Sequence, residues 1–255
     1  MRNEALLKAC EADMEELVQI LLSDREGCAD FSRYVNMKNG LGDSPLQVAC
    51  SKGFLSIVKI LVEEGKADLG VVQGLTRKTP LITAANKGHV HVVEYLVTTG
   101  GDDVNRLGSL NTTPLHFCAS SKFDSAAQPE TVRMEMIRII LEEGGADVNL
   151  PCGQGNSPII TACYANSLPT VMYLFEKGGR VNQHNAENGR SALMVAASEG
   201  HLDIVKWLVE EGMAKLDLKN HNGFTPVCAA AFYNHLPVVK YLVQKECDVN
   251  VANKW

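Results

Sequence analysis

The sequence predicts an all-α solenoid of stacked helix–turn–helix units, and three observations predict it. A Ser/Thr-Pro-apolar box recurs as Ser44-Pro45-Leu46, Thr79-Pro80-Leu81, Thr113-Pro114-Leu115-His116, Ser157-Pro158-Ile159, Ser191-Ala192-Leu193 and Thr225-Pro226-Val227, in steps of 35, 34, 44, 34 and 34 residues. A fixed period of this size marks a repeat architecture, in which each unit packs only on its neighbours and one core grows along the row. Each box then opens two apolar stretches at helical spacing, such as Leu202, Ile204, Val205, Leu208 and Val209. Finally, glycine-containing turns such as Gly144-Gly145-Ala146-Asp147-Val148-Asn149 close the units.

Each part of the unit has a mechanical task. The Ser or Thr hydroxyl accepts from an unpaired amide at a helix start, and proline at the first helical position gives up only a donor the helix does not use. Small residues such as Thr83-Ala84-Ala85 keep one face of the first helix thin. Gly53, Gly88 and Gly200 end it, because glycine takes the left-handed conformation without a steric cost.

Read in order, residues 3–22 form a degenerate opening repeat, and its acidic residues from Glu11 to Glu16 suit an end facing water. Residues 23–41 form a longer connection. The repeats are expected at 38–72, 73–106, 107–150, 151–184, 185–218 and 219–252, after a cap at 1–37 and before the start of a further unit at 253–255. The extra residues in the 44-residue step lie at 120–130, a polar, proline-broken loop ahead of a helical run from Thr131 to Glu143. Residues 248–255 read as a unit's exit with no capping helix after it, which is the pattern of a piece of a longer protein.

This pattern resembles the ankyrin repeat, whose signature is a Thr-Pro-Leu-His-x-Ala box, a Gly-His inter-helix turn and a Gly-Ala-Asp-x-Asn exit. Thr113-Pro114-Leu115-His116, Gly88-His89, Gly200-His201 and the exit ending in Asn149 carry it best, and the boxes cover residues 38–255. The resemblance implies an ankyrin-repeat solenoid of paired antiparallel helices, with short β-hairpin-like finger loops projecting to one side. It also implies that His116 hydrogen-bonds between neighbouring units. The chain departs from the family pattern in several places. Arg77 and Asn111 replace the finger glycine, and only Asn tolerates a left-handed backbone well, so the turn before Thr79 is expected to differ. Ala192 replaces proline, while Asn166, Asn234 and, beside the insertion, Lys122 replace the inter-helix glycine.

Composition narrows the function. A net charge of −6 argues against a nucleic-acid partner. The eight cysteines include no Cys-x-x-Cys pair, and Cys50, Cys118 and Cys163 stand at small first-helix positions, as buried apolar side chains would. That usage points to a reducing compartment, the cytosol or nucleus. The charged stretch from Asn3 to Glu16 is no secretory signal, and no uncharged apolar run reaches the length of a membrane span. No catalytic motif, cofactor site or complete metal set is present; His89 and His91 lack a third ligand. Tyr95, Tyr173, Trp207 and Tyr241 recur at one position of the second helices, which is the habit of a packing residue.

What remains is an interaction surface. The resemblance places partners on the concave side, on finger tips and the exposed face of each first helix, where this chain has Lys78, Lys87, Leu110, Tyr164, Arg190, Phe224, Phe232 and Tyr233. With helix axes about 8–10 Å apart, seven helix pairs would line a groove on the order of 60 Å long, suited to a protein or extended peptide rather than a small molecule. Clustered aromatics at Phe224, Phe232, Tyr233 and Tyr164 fit a binding hot spot, or packing on one another and on a following repeat. The sequence therefore reads as a non-enzymatic scaffold. The alternative is the substrate-targeting module of an enzyme or ubiquitin-ligase assembly whose catalytic part lies beyond Trp255.

Overall fold

The computed structural model describes residues 2–23, 30–74, 76–108, 111–120 and 129–250. Of the insertion expected at 120–130, residues 121–128 lie outside them, as do residues 251–255. The chain divides into two compact units, Met1–Cys118 with Asp124–Ala146, and Ala119–Phe123 with Asp147–Trp255.

The first unit contains helix α1 (Arg2–Glu11), α2 (Glu15–Ser23), a one-turn α3 (Phe31–Val35), α4 (Pro45–Lys52), α5 (Leu55–Glu63), α6 (Pro80–Lys87), α7 (Val90–Thr98), α8 (Pro114–Ala119) and α9 (Glu130–Arg138). The last continues as a π-helical turn, Ile139–Glu143, which completes the predicted run. First helices pack on first helices, α1 on α4 and α4 on α6, and second helices on second helices, α2 on α5, α5 on α7, and α7 on α9 and its π turn. The second unit repeats this with α10 (Pro158–Tyr164), α12 (Ala192–Glu199) and α14 (Pro226–Phe232) in one row, and α11 (Leu168–Glu176), α13 (Leu202–Glu210) and α15 (Leu236–Gln244) in the other. The long connection after α2 carries α3, which Asp30 caps by accepting from the Arg33 amide.

The boxes start the helices as expected, with one correction. Ser44, Thr79, Thr113 and Ser191 accept from the amide three residues on, and Gln47 returns the bond to the Ser44 amide. Ser157 and Thr225 make no such bond. Thr225 turns its hydroxyl to the Cys228 Sγ at 3.2 Å instead, and there proline and the helix row alone set the start. α12 begins at Ala192 without proline, held by Ser191.

Turn geometry is imposed by the row more than by residue type. The finger position is left-handed at Gly42, Gly155, Gly189 and Gly223, and equally at Arg77 (φ 52°) and Asn111 (φ 51°). The expectation of a different turn before Thr79 fails, because packing over-determines the backbone and Arg77 bears the strain. Asn166 and Asn234 likewise take the left-handed inter-helix turn. Glycine is needed twice over at Gly53 and Gly200, where a Cβ would sit 2.5 Å and 2.4 Å from the rings of His89 and His235. Those rings contact the Ser51 and Ser198 carbonyls at 3.1 Å and 2.9 Å, so each ties its unit to the end of the preceding first helix.

Neighbouring units are also laced through their exits. Asn36, Asn149 and Asn182 accept through Oδ1 from the amides of Asp68, Arg180 and Lys215, and Asp217 does the same for Asp248. The second-helix aromatics pack between neighbours, as their recurrence suggested. Tyr95 donates to Glu63 at 2.9 Å, Tyr241 donates to Glu210 at 3.0 Å, and Trp207 meets Phe175 edge-on at 5.3 Å. Cys50, Cys118 and Cys163 are buried, and no disulfide joins the described cysteines. Each finger is closed by backbone bonds such as Asn220 N–H to Phe224 O at 2.9 Å, and none extends into a strand among the described residues. Thr113 Oγ1 and His116 Nδ1 lie 2.8 Å apart, a contact within one box. No helix among the described residues is long and apolar enough to cross a membrane.

Candidate partner-binding site

Two repeats of the second unit bring the same two positions together. The finger residue just before the Ser/Thr stands beside the residue eight further on, at the end of the first helix. In the second unit this pairs Arg190 with Ser198, Nη2 donating to Oγ at 2.7 Å, and Phe224 with Phe232, edge to face at 6.1 Å. Arg190 Nη1 also donates to the Tyr164 hydroxyl at 3.0 Å, and Phe232 meets the Tyr233 ring at 5.0 Å. These five predicted residues thus form one continuous surface, with Tyr164, Arg190 and Phe224 half-buried and Phe232 and Tyr233 exposed by 71% and 54%.

Between the fingers and α14 lies a cleft of about 310 Å³. Phe224, Phe232 and Tyr233 form an apolar wall, Met194 and Ala229 line it from the two first helices, and Asn188, Asn220, Asn222 and Arg190 supply polar groups. Asn220 positions the wall, since its Oδ1 accepts from the amides of Asn222 and Phe224 and so fixes the finger. Sequence reading missed Asn220 and Met194. The signal for Asn220 was available: Asn39 stands at the same distance before its box and accepts from Leu41 and Asp43 in the same way. Met194 carried none, because its box position holds Gln47, Ile82 and His116 elsewhere.

Phe232 and Tyr233 stand at positions that the repeat treats differently. At the Phe232 position Asn86 and Ser198 are buried, at 8% and 4%, and Ser51, Ser120 and Tyr164 are half-buried. At the Tyr233 position Lys52, Lys87 and Glu199 are exposed and Ala165 is half-buried. An aromatic at a position that the repeat leaves to solvent is therefore the stronger sign of a partner.

The other predicted residues are placed elsewhere. Lys78 and Lys87 belong to the first unit; Lys78 holds its ammonium 5.5 Å above the Phe117 ring and Lys87 is exposed at the end of α6. Leu110 lies outside the described residues. The histidines give no metal site: among the described residues no group of three His, Cys, Asp or Glu converges.

One feature of the first unit was not anticipated. Asp102 occupies an exit position that is alanine at Ala67, Ala146 and Ala214, and its side chain is 1% exposed. Neither carboxyl oxygen has a hydrogen bond, and the Arg106 Nε stands 3.8 Å away, too far to supply one. Burial, opposed in part by Arg106 and by the Asp103 backbone amide, pushes this carboxyl up to about 7.

This geometry is that of a known module, and sequence models agree. The model for ankyrin repeats, in three copies, matches residues 1–73, 65–134 and 178–253. The chain belongs to the ankyrin-repeat family. Among solved structures, the ankyrin repeat domain of Bcl-3, described as a unique member of the IkappaB protein family, superposes with a TM-score of 0.70 at 26% identity, over 83% of this chain and 90% of that one. No curated protein matches the sequence. Ankyrin repeats are interaction modules that bind proteins, and that coarse function applies to this chain.

Proposed function

We propose that this ankyrin-repeat chain is a non-enzymatic scaffold that holds a protein or peptide segment on its finger and first-helix surface, in the reducing environment of the cytosol or nucleus. The observation that supports it is the exposed aromatic wall of Phe224, Phe232 and Tyr233 beside Arg190. Large aromatics and Arg are the side chains that anchor interfaces, because they bury much area at low entropic cost. The described cysteines, unbridged and all but Cys228 buried, support the compartment.

The test compares capture of partner proteins from a cytosolic extract by the wild-type chain and by a Phe232→Ala/Tyr233→Ala variant. Capture is expected to fall about tenfold or more, while the melting temperature moves by no more than about 2 °C, as for surface substitutions. Equal capture by both chains would remove the aromatic wall from the reading. Loss of fold in the variant would make these residues structural.

A further inference from the structure

The reading above, on which this inference rests, leaves the partner's chemistry open, and Arg190 narrows it. Its guanidinium is half-buried and bonded to two neutral hydroxyls, those of Tyr164 and Ser198, with no described carboxylate within ion-pair distance. A guanidinium offers five N–H donors in a planar fork, so the bonds to Tyr164 and Ser198 leave donors and the whole charge unmet. Among the described residues lining the cleft, Arg190 is also the only charged one, in a chain whose net charge is −6. The asparagines there bring donors too, since Asn188 Oδ1 accepts from the Arg190 amide and Asn220 Oδ1 from its own finger backbone, which leaves each Nδ2 for peptide carbonyls.

The geometry points to an extended segment of another protein as the occupant, with an Asp or Glu side chain one or two residues from a large apolar one. The carboxylate docks on Arg190, and the apolar side chain lies against Phe224, Phe232 and Tyr233. One cation suits a monoanionic carboxylate; a phosphate dianion calls for more positive charge than this cleft holds. The surface continues beyond Arg190 to Tyr164 and to the next finger, tied in by the Asn185 Nδ2 bond to the Gln154 carbonyl at 2.8 Å, so the bound chain runs on rather than ending there.

A random-peptide display library selected on the purified chain tests this, followed by fluorescence anisotropy with the enriched peptides. Enrichment of an acidic residue next to a large apolar one is expected. Arg190→Gln should weaken the enriched peptides roughly tenfold, and Arg190→Glu should recover binding to peptides in which the acid is replaced by Lys. That charge swap separates direct recognition from a structural role, and the melting temperature of each variant checks the fold. Enriched peptides without an acid that still lose binding in Phe232→Ala/Tyr233→Ala overturn the carboxylate and leave the scaffold reading standing. Peptides indifferent to both sets of variants overturn both readings at this face. Enrichment only of phosphorylated peptides, or self-association of the chain abolished by Phe232→Ala, would assign the cleft to a different occupant and overturn the proposal.

Discussion

Asp102 in the first unit and Arg190 in the second are both charges that the repeat pattern does not require, yet the structure treats them in opposite ways. Asp102 replaces an exit-turn alanine, is buried, and receives no hydrogen bond at either oxygen. Its nearest compensation is Arg106 at 3.8 Å, while Asp68 and Asp103 add negative charge and Cys50 lies within its field. Arg190 is partly open to water and held by two hydroxyls on fixed helices. The lesson is that burial without partners drives a charge toward neutrality, whereas neutral hydrogen-bond partners at a rim preserve a charge and aim it.

The largest effect that sharpens this contrast is expected from Asp102→Ala, which restores the residue of the other exits. The folded Asp102 carboxyl titrates near about 7, above its ordinary 3.8, so the native state holds the proton more tightly than the unfolded chain. Its stability contribution is thus present below pH 4 and is lost as the pH rises through about 7. Urea unfolding should show wild-type stability falling across that window, and the Ala variant gaining on the order of 3 kcal/mol by pH 8. Parallel pH profiles for the two chains would mean that Asp102 is solvated and that the contrast with Arg190 is false.

Gly200→Ala comes next, because it disturbs the turn under Ser198, one of the two groups that hold Arg190. A left-handed φ of 78° and a Cβ 2.4 Å from the His235 ring should cost about 2 kcal/mol in thermal unfolding. A neutral result would mean that the His235 ring moves freely. Removing only the hydroxyls, with Tyr164→Phe plus Ser198→Ala, should change stability by about 1 kcal/mol or less and weaken an acidic peptide roughly threefold. An unchanged affinity would show that Arg190 needs no cradle. The smallest change is expected at Arg77→Gly: relief of left-handed strain, offset by glycine's greater unfolded freedom, should raise stability by about 0.5 kcal/mol.

Much of the fold was legible because the boxes are local instructions. A Ser/Thr-Pro pair starts a helix with little reference to its surroundings, and period supplies the rest. The errors fell where surroundings decide. Arg77 was expected to alter its turn, and neighbouring packing holds it in the common one. Ser157 and Thr225 look like their counterparts but do not cap. The binding-surface positions could be placed by analogy with the family, yet their grouping could not be read. Nothing in the spacing says that Arg190 reaches back to Tyr164, or that Phe224 closes a cleft with Phe232.

By itself the sequence determined the unit, its period, its helix starts and stops, and therefore the family, since these depend on interactions within a few residues. The tertiary structure alone decided which charges are buried and which are offered. That outcome depends on side chains from adjacent repeats meeting at distances of a few ångströms, and solvation free energy changes steeply over such distances.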